Sequence, residues 1–83
     1  MKIKIYSTPV CPYCVMLKDY LKKRNVEFTD VDVSKDEQAA DEMIKKSGQM
    51  GVPVAIFISG DGREKVIIGF DKANIDELLK TDN

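Results

Sequence analysis

The residues in this sequence best suited to chemistry are two cysteines separated by two residues, Cys11-Pro12-Tyr13-Cys14. On a helix an advance of three residues is nearly one turn, which puts both sulfurs on one side within reach of a disulfide. Pro12 suits the first position of such a helix, where its missing N–H costs nothing. Cys11 then stands at the helix N-terminus, where unpaired N–H groups and the positive end of the dipole favour a thiolate. Settings of that kind bring a cysteine from about 8.5 down to roughly 3.5–7.5. Cys14 lies a turn inside and is expected to be the more buried of the two. The asymmetry divides the work: Cys11 attacks a disulfide, and Cys14 attacks the resulting mixed disulfide and releases the product as a thiol. A structural disulfide or half of a zinc site are the alternatives, and no further Cys or His supports either.

Composition removes most other chemistries. The 83 residues contain no His, so imidazole bases, Ser–His or Cys–His nucleophile pairs and His-ligated metals are unavailable within the chain. Two cysteines cannot close a four-ligand metal site, and no metal is expected. Thirteen basic against 14 acidic residues give a net charge of −1, which offers no bulk attraction to nucleic acid or membrane. The apolar run after Met1-Lys2-Ile3-Lys4 is too short for a signal-peptide core, and nothing elsewhere approaches a membrane span. The expectation is one soluble, cytoplasmic domain over residues 1–83, acting as a monomer. Charge is uneven along it: residues 1–24 hold six Lys/Arg and only Asp19, whereas residues 25–42 hold seven Asp/Glu and only Lys35.

The cysteine pair needs elements to hold it. Ile3 and Ile5 alternate with Lys2 and Lys4 as in a strand ending near Ser7-Thr8-Pro9. From Pro12 to about Arg24, Leu17, Tyr20 and Leu21 recur at helical spacing. Val26-Glu27-Phe28 and Val31-Asp32-Val33 predict a second strand whose alternation slips phase, implying a bulge or bend. Ser34 to Ser47 predicts a helix with Ser34 as N-cap, Glu37 as its capping-box partner, an apolar face through Ala40, Met43 and Ile44, and Gly48 as stop. Val52 to Ile58 is almost continuously apolar, hence a central strand. Gly60-Asp61-Gly62 turns it back as Lys65 to Ile68. Asp71 caps a last helix whose Ile75, Leu78 and Leu79 face inward. The order β-α-β-α-β-β-α predicts an α/β fold with a four-stranded mixed sheet and helices on both faces, its first two strands parallel. The cysteines fall at the carboxyl end of the first strand, where open α/β sheets bind ligands.

Tyr6-Ser7-Thr8-Pro9-Val10-Cys11-Pro12-Tyr13-Cys14, Val52-Pro53 and Ile68-Gly69-Phe70-Asp71 together resemble the active-site segment, the Val-Pro dipeptide and the turn before the last helix of glutaredoxins. The resemblance covers nearly the whole chain and implies the thioredoxin fold. It implies a thiol–disulfide oxidoreductase with no bound cofactor, cycling between dithiol and disulfide, with glutathione as co-substrate and disulfide-containing proteins as partners. It also implies that the Val52–Pro53 bond is cis, turning the Val52 backbone outward to pair with an extended substrate. Thr8, Pro12, Tyr13, Gln49, Val52, Pro53, Gly69, Phe70 and Asp71 are the substrate-binding positions this assigns. Tyr13 either flanks the substrate or covers the cysteine; Met43 and Met50 read as core or rim packing.

Departures from the family bear on the electron donor. Thr8 stands where many glutathione-using members have Lys, Gly51 stands where Thr often precedes Val-Pro, and Phe70-Asp71-Lys72 follow Gly69. Lys45, Lys46 or Gln49 would have to supply the cation or donor for the glycyl carboxylate. The Gly-Phe pair instead resembles redoxins that serve ribonucleotide reductase and draw electrons from a flavin-dependent thioredoxin reductase. A third possibility, a glutathione-ligated [2Fe–2S] carrier, is opposed by Pro12 and Cys14, because members of that kind mostly have one active-site cysteine followed by Gly.

Overall fold

Alternation along Lys2–Ser7 places Ile3 and Ile5 on one face of strand β1 and Tyr6 on the other. The computed structural model describes residues 2–81, without the side chain of Thr81, and continues from β1 through α1 (Pro12–Lys23), β2 (Thr29–Asp32), α2 (Glu37–Ser47), β3 (Val54–Ile58), β4 (Glu64–Ile68) and α3 (Lys72–Thr81). The strands form one sheet in the order β2-β1-β3-β4, with β1 and β2 parallel and the other two pairings antiparallel. Ala55 and Phe57 of β3 join Ile3, Ile5, Leu17, Leu21, Ile67 and Ile75 under α1 and α3. Val54 and Ile56 point the other way, meeting Tyr6, Ala39 and Met43 under α2. Both faces of β3 are thus covered, which is why its sequence is continuously apolar. This is the mixed four-stranded sheet that the element order implied and the thioredoxin fold that the resemblance implied.

Three local expectations need correction. Val26 to Phe28 is not strand, and β2 starts only at Thr29. Asn25 takes φ 58°, which winds the chain back so that the Val26 N–H bonds to the Leu21 carbonyl at 3.0 Å. That amide caps α1 and is lost to the sheet, while Val26 and Phe28 pack against the core beneath α1 and α3.

Helix α2 is capped by Asp36, not Ser34. The Ser34 N–H and hydroxyl both donate to the Asp32 carboxylate at 2.9 and 2.5 Å, so this hydroxyl is committed before the helix begins. Asp36 accepts the Ala39 N–H at 3.0 Å instead, and Glu37 becomes the first helical residue with no reciprocal box. Ala39, four positions before Met43, rather than Ala40 is the small residue buried beside it. Gly48 ends α2 in the left-handed conformation at φ 75°, as its position predicts.

Strand β3 opens at Val54, two residues later than the apolar run suggests, because Pro53 has no N–H to give to the ladder; the Val52–Pro53 peptide is cis. Asp71 caps α3 as expected, accepting the Asn74 N–H at 3.3 Å, and Ile75 is fully buried.

Candidate active site

The end of β1 sets up the site. Ser7 is a buried polar residue, and its hydroxyl donates to Asp30 of β2 at 2.6 Å. Beyond it the chain turns, and the Cys11 N–H closes on the Thr8 carbonyl at 3.4 Å. Cys11 then adopts extended backbone angles as the N-cap of α1, with Pro12 following at the start of the helix. A cysteine replaces the usual hydroxyl or carboxylate at this cap. Its Sγ accepts the backbone N–H of Cys14 at 3.2 Å, the bond an N-cap oxygen would normally take. Electron density on sulfur is therefore met by a main-chain donor and the positive end of α1.

The two thiols are free and unlike. Cys11 is half-buried, whereas Cys14 is fully buried beneath the first turn. Burial pushes the Cys14 thiol up to about 11, and its hydrogen bond with Cys11 adds to the effect. The Thr8 backbone and the charge of Lys18 oppose it.

A second loop approaches from the opposite side. The Cys11 thiol points at the Val52 carbonyl at 3.8 Å, and the next residue, the cis Pro53, accepts the Gly69 N–H at 2.8 Å. Gly69 reaches that bond with φ 77°, which an L side chain rarely adopts. Contacts therefore run from Cys11 through Val52 and Pro53 to Gly69, joining three segments far apart in sequence.

The remaining sequence-assigned positions fall less uniformly. Tyr13 is 60% exposed and Met50 79% exposed, so neither is packed in the core; Met43 is buried. Gln49 is half-buried, with its N–H and carbonyl tied to the Ser47 hydroxyl and its side-chain amide beside Gly51. Phe70 turns toward Tyr20, meeting its ring edge-on at 5.6 Å, and Asp71 is occupied with capping α3. Of the cations suggested for a glycyl carboxylate, Lys46 is held by Glu64 at 3.0 Å and stands 3.8 Å from Glu42.

Sequence reading missed the Ser7–Asp30–Lys18 connection, in which the Lys18 ammonium lies 3.0 Å from Asp30. The available signal was spacing: Lys18 follows Cys14 by four positions on a helix and so shares its side. It also missed that Arg24 pairs with Asp76 and the Tyr20 hydroxyl, tying the end of α1 to α3. Among the described residues no three or more His, Cys, Asp or Glu side chains gather as a metal site, and no helix is long and apolar enough to cross a membrane.

Comparison with known proteins agrees with this geometry. Residues 3–62 match the glutaredoxin family model. A glutaredoxin-like 8.6 kDa protein of the rubredoxin operon of Clostridium pasteurianum is 50% identical over 78 residues, covering 94% of this chain and 97% of that protein. Glutaredoxin 3 of Escherichia coli is 32% identical over 81 residues, covering 94% and 96%. The structure of the glutaredoxin-like NrdH-redoxin of Escherichia coli, a protein with a thioredoxin-like activity profile, superposes with a TM-score of 0.76 at 28% identity, covering 94% and 95%. A cysteine-capped helix beside a cis Val-Pro, on a sheet of this order, thus coincides with the sequence match: the chain belongs to the glutaredoxin family and is a thiol redox protein.

Proposed function

We propose that the protein reduces disulfides by a dithiol mechanism, with Cys11 as nucleophile and Cys14 as resolving thiol. One observation carries the assignment: the accessible sulfur caps α1 and accepts the Cys14 N–H, while the other sulfur is buried. Cys11 thiolate attacks a substrate disulfide, forms a mixed disulfide and expels one thiolate. Cys14 then loses its proton and attacks the Cys11 sulfur. The bond from Cys11 to substrate breaks, its electron pair leaves with the second thiolate, and both products take up protons. Two electrons pass from the dithiol to the substrate. An extended disulfide-bearing segment pairs with the Val52 backbone, flanked by Pro12, Tyr13 and Thr8. Such a cycle belongs in a reducing compartment, the cytoplasm.

Two electron donors remain in competition, and glutathione is the first. The N-terminus of α3 offers N–H groups for its γ-glutamyl carboxylate. Thr8 supplies no charge for the glycyl end, and Lys46 is already paired with Glu64. Losing one partly exposed charge contact costs about 1 kcal/mol, several-fold in affinity. Turnover with glutathione is therefore expected to be weak and improved by Thr8→Lys. The second reading, a redoxin reduced by a flavin-dependent thioredoxin reductase and serving a ribonucleotide reductase, is favoured by the commitment of Lys46 and by similarity to a glutaredoxin-like protein with a thioredoxin-like activity profile.

The deciding experiment reduces the oxidised protein side by side with glutathione and with NADPH plus thioredoxin reductase, and searches Cys14→Ser for a glutathione adduct by mass spectrometry. Adduct with slow glutathione turnover supports the first donor. Reduction by the flavoenzyme alone, with no adduct, selects the second.

A further inference from the structure

The resolving step poses a difficulty that the two cysteines do not solve between them. Cys14 must give up its proton in a site from which water is excluded, since its side chain is fully buried. Helix α1 supplies a remedy one turn further on. Lys18 follows Cys14 by four positions, so the two side chains lie on the same side of the helix. Its ammonium is fixed 3.0 Å from the Asp30 carboxylate, whose other oxygen accepts the hydroxyl of buried Ser7 at 2.6 Å. Ser7 closes β1 immediately before the loop that carries Cys11, and Asp30 pairs in register with Ile5. The lysine is thus anchored to the sheet and is only 20% exposed.

We propose that Lys18, held in place by Asp30 and Ser7, is a positioning residue that stabilises the developing thiolate of Cys14 during resolution. The inference rests on the split roles proposed above for Cys11 and Cys14. The step itself is unchanged in balance: Cys14 loses its proton, its sulfur bonds to Cys11, and the substrate thiolate leaves with the electrons of the broken bond and takes up a proton. Lys18 neither donates nor accepts a proton. It supplies a fixed positive charge on the side of the helix from which the leaving proton must be compensated.

The charges around Cys14 support this division. In the dithiol, burial and Cys11 raise its titration, while the Thr8 backbone and Lys18 lower it. In the mixed disulfide Cys11 has no ionisable proton and carries no charge. Burial is then opposed by the Thr8 backbone and Lys18, and the weight of the lysine grows at the moment it is needed. Asp30 and, more remotely, Asp32 of β2 act on Lys18 from across the gap, with Asp19 and Lys22 on its own helix nearby. The two β2 carboxylates moderate the cation without removing it, since Lys18 still favours the Cys14 thiolate with Asp30 paired to it.

The test separates the two steps in one trace. Reduced protein mixed with excess dithiodipyridine, a neutral aromatic disulfide, releases one chromophoric thione when Cys11 attacks and a second when Cys14 resolves. The first phase scales with reagent concentration and the second does not. In Lys18→Gln the first phase is expected to keep its rate, while the second slows about three- to tenfold and its pH midpoint rises by roughly half a unit to one unit. Lys18→Arg is expected to restore both, because it keeps the charge. Thermal unfolding of each variant checks the fold. A second phase in Lys18→Gln with wild-type rate and midpoint, or a slowing that Lys18→Arg shares, overturns the inference. Failure of the split roles would look different: a single phase, or a first phase that survives Cys11→Ser.

Discussion

Cys14 donates its backbone N–H to the sulfur of Cys11 across 3.2 Å while its own sulfur is sealed from solvent. One residue thereby supplies a main-chain donor to the other's sulfur while its own thiol is kept from solvent, as the proposed division of roles requires. The relation follows from placing a cysteine at the N-cap of α1, since the donor three residues on is the group an N-cap normally satisfies. The spacing of the motif is thus the spacing of a helix cap.

The first prediction concerns the division between the thiols. Cys11→Ser is expected to abolish disulfide reduction, and Cys14→Ser to accumulate a mixed disulfide at Cys11. Iodoacetamide should alkylate Cys11 of the folded, reduced protein first. Cys14, pushed up to about 11 by burial, should react only at strongly alkaline pH or after unfolding. Peptide mapping of the alkylated protein decides it: equal labelling of both cysteines at neutral pH contradicts the asymmetry.

The same burial predicts how stability depends on pH. The folded state holds the Cys14 proton up to about 11, against an ordinary thiol value of 9.0. Folding therefore favours the protonated form, so this contribution is full below about pH 9 and lost as pH rises toward 11. A difference of that size amounts to about 2–3 kcal/mol when complete. Burial also raises buried Tyr6, whose phenol donates to Glu42 at 2.5 Å, which adds loss in the same direction at still higher pH. Urea unfolding of the reduced protein between pH 8 and 11 should fall more steeply for wild type than for Cys14→Ala. Parallel curves would remove Cys14 as the cause.

How far the sequence disclosed this molecule depends on which interactions are local. Ile3, Ile5 and the apolar run ending at Ile58 showed their strands through period and continuity, and the cysteine motif showed its helix through Pro12. The cis state of Val52–Pro53 followed from the family pattern and is present. Competition between nearby groups was less legible. Ser34 and Asp36 are both good caps, and only the prior claim of Asp32 on Ser34 decides between them. Val26 looked like strand because its amide partner, Leu21, lies behind it on α1. The Lys18–Asp30–Ser7 connection joins α1, β2 and β1, so it exists only once the sheet order is known.

That competition is itself testable. Asp36→Ala removes the acceptor for the Ala39 N–H and is expected to cost about 1 kcal/mol. Ser34→Ala loses only exposed contacts to Asp32 and should stay within about 0.5 kcal/mol of wild type. Chemical denaturation of the two variants measures the difference. A larger loss for Ser34→Ala would return the cap to the position its capping-box spacing suggests.

The last prediction concerns Gly69, which links the second loop of the site to the start of α3. Its φ of 77° lies where glycine is favoured, and an added Cβ would meet nothing within 4 Å. The cost of Gly69→Ala is therefore that of an L residue at positive φ, about 1 kcal/mol, with no clash against the surrounding structure. The alanine can pay that strain by keeping the turn, or relieve it by rotating the N–H away from the Pro53 carbonyl that now accepts it at 2.8 Å. In the second case the support for Val52–Pro53 weakens, and with it the backbone proposed to receive the substrate beside Cys11. Stability and turnover together tell the two apart. A loss of about 1 kcal/mol with unchanged turnover means the turn holds under strain. A smaller loss with turnover of a protein disulfide reduced several-fold, and alkylation of Cys11 by iodoacetamide unaffected, means that Gly69 positions the Val52 backbone and leaves the nucleophile untouched. Wild-type values for both would show that neither the φ nor the bond to Pro53 matters, and would remove Gly69 from the site.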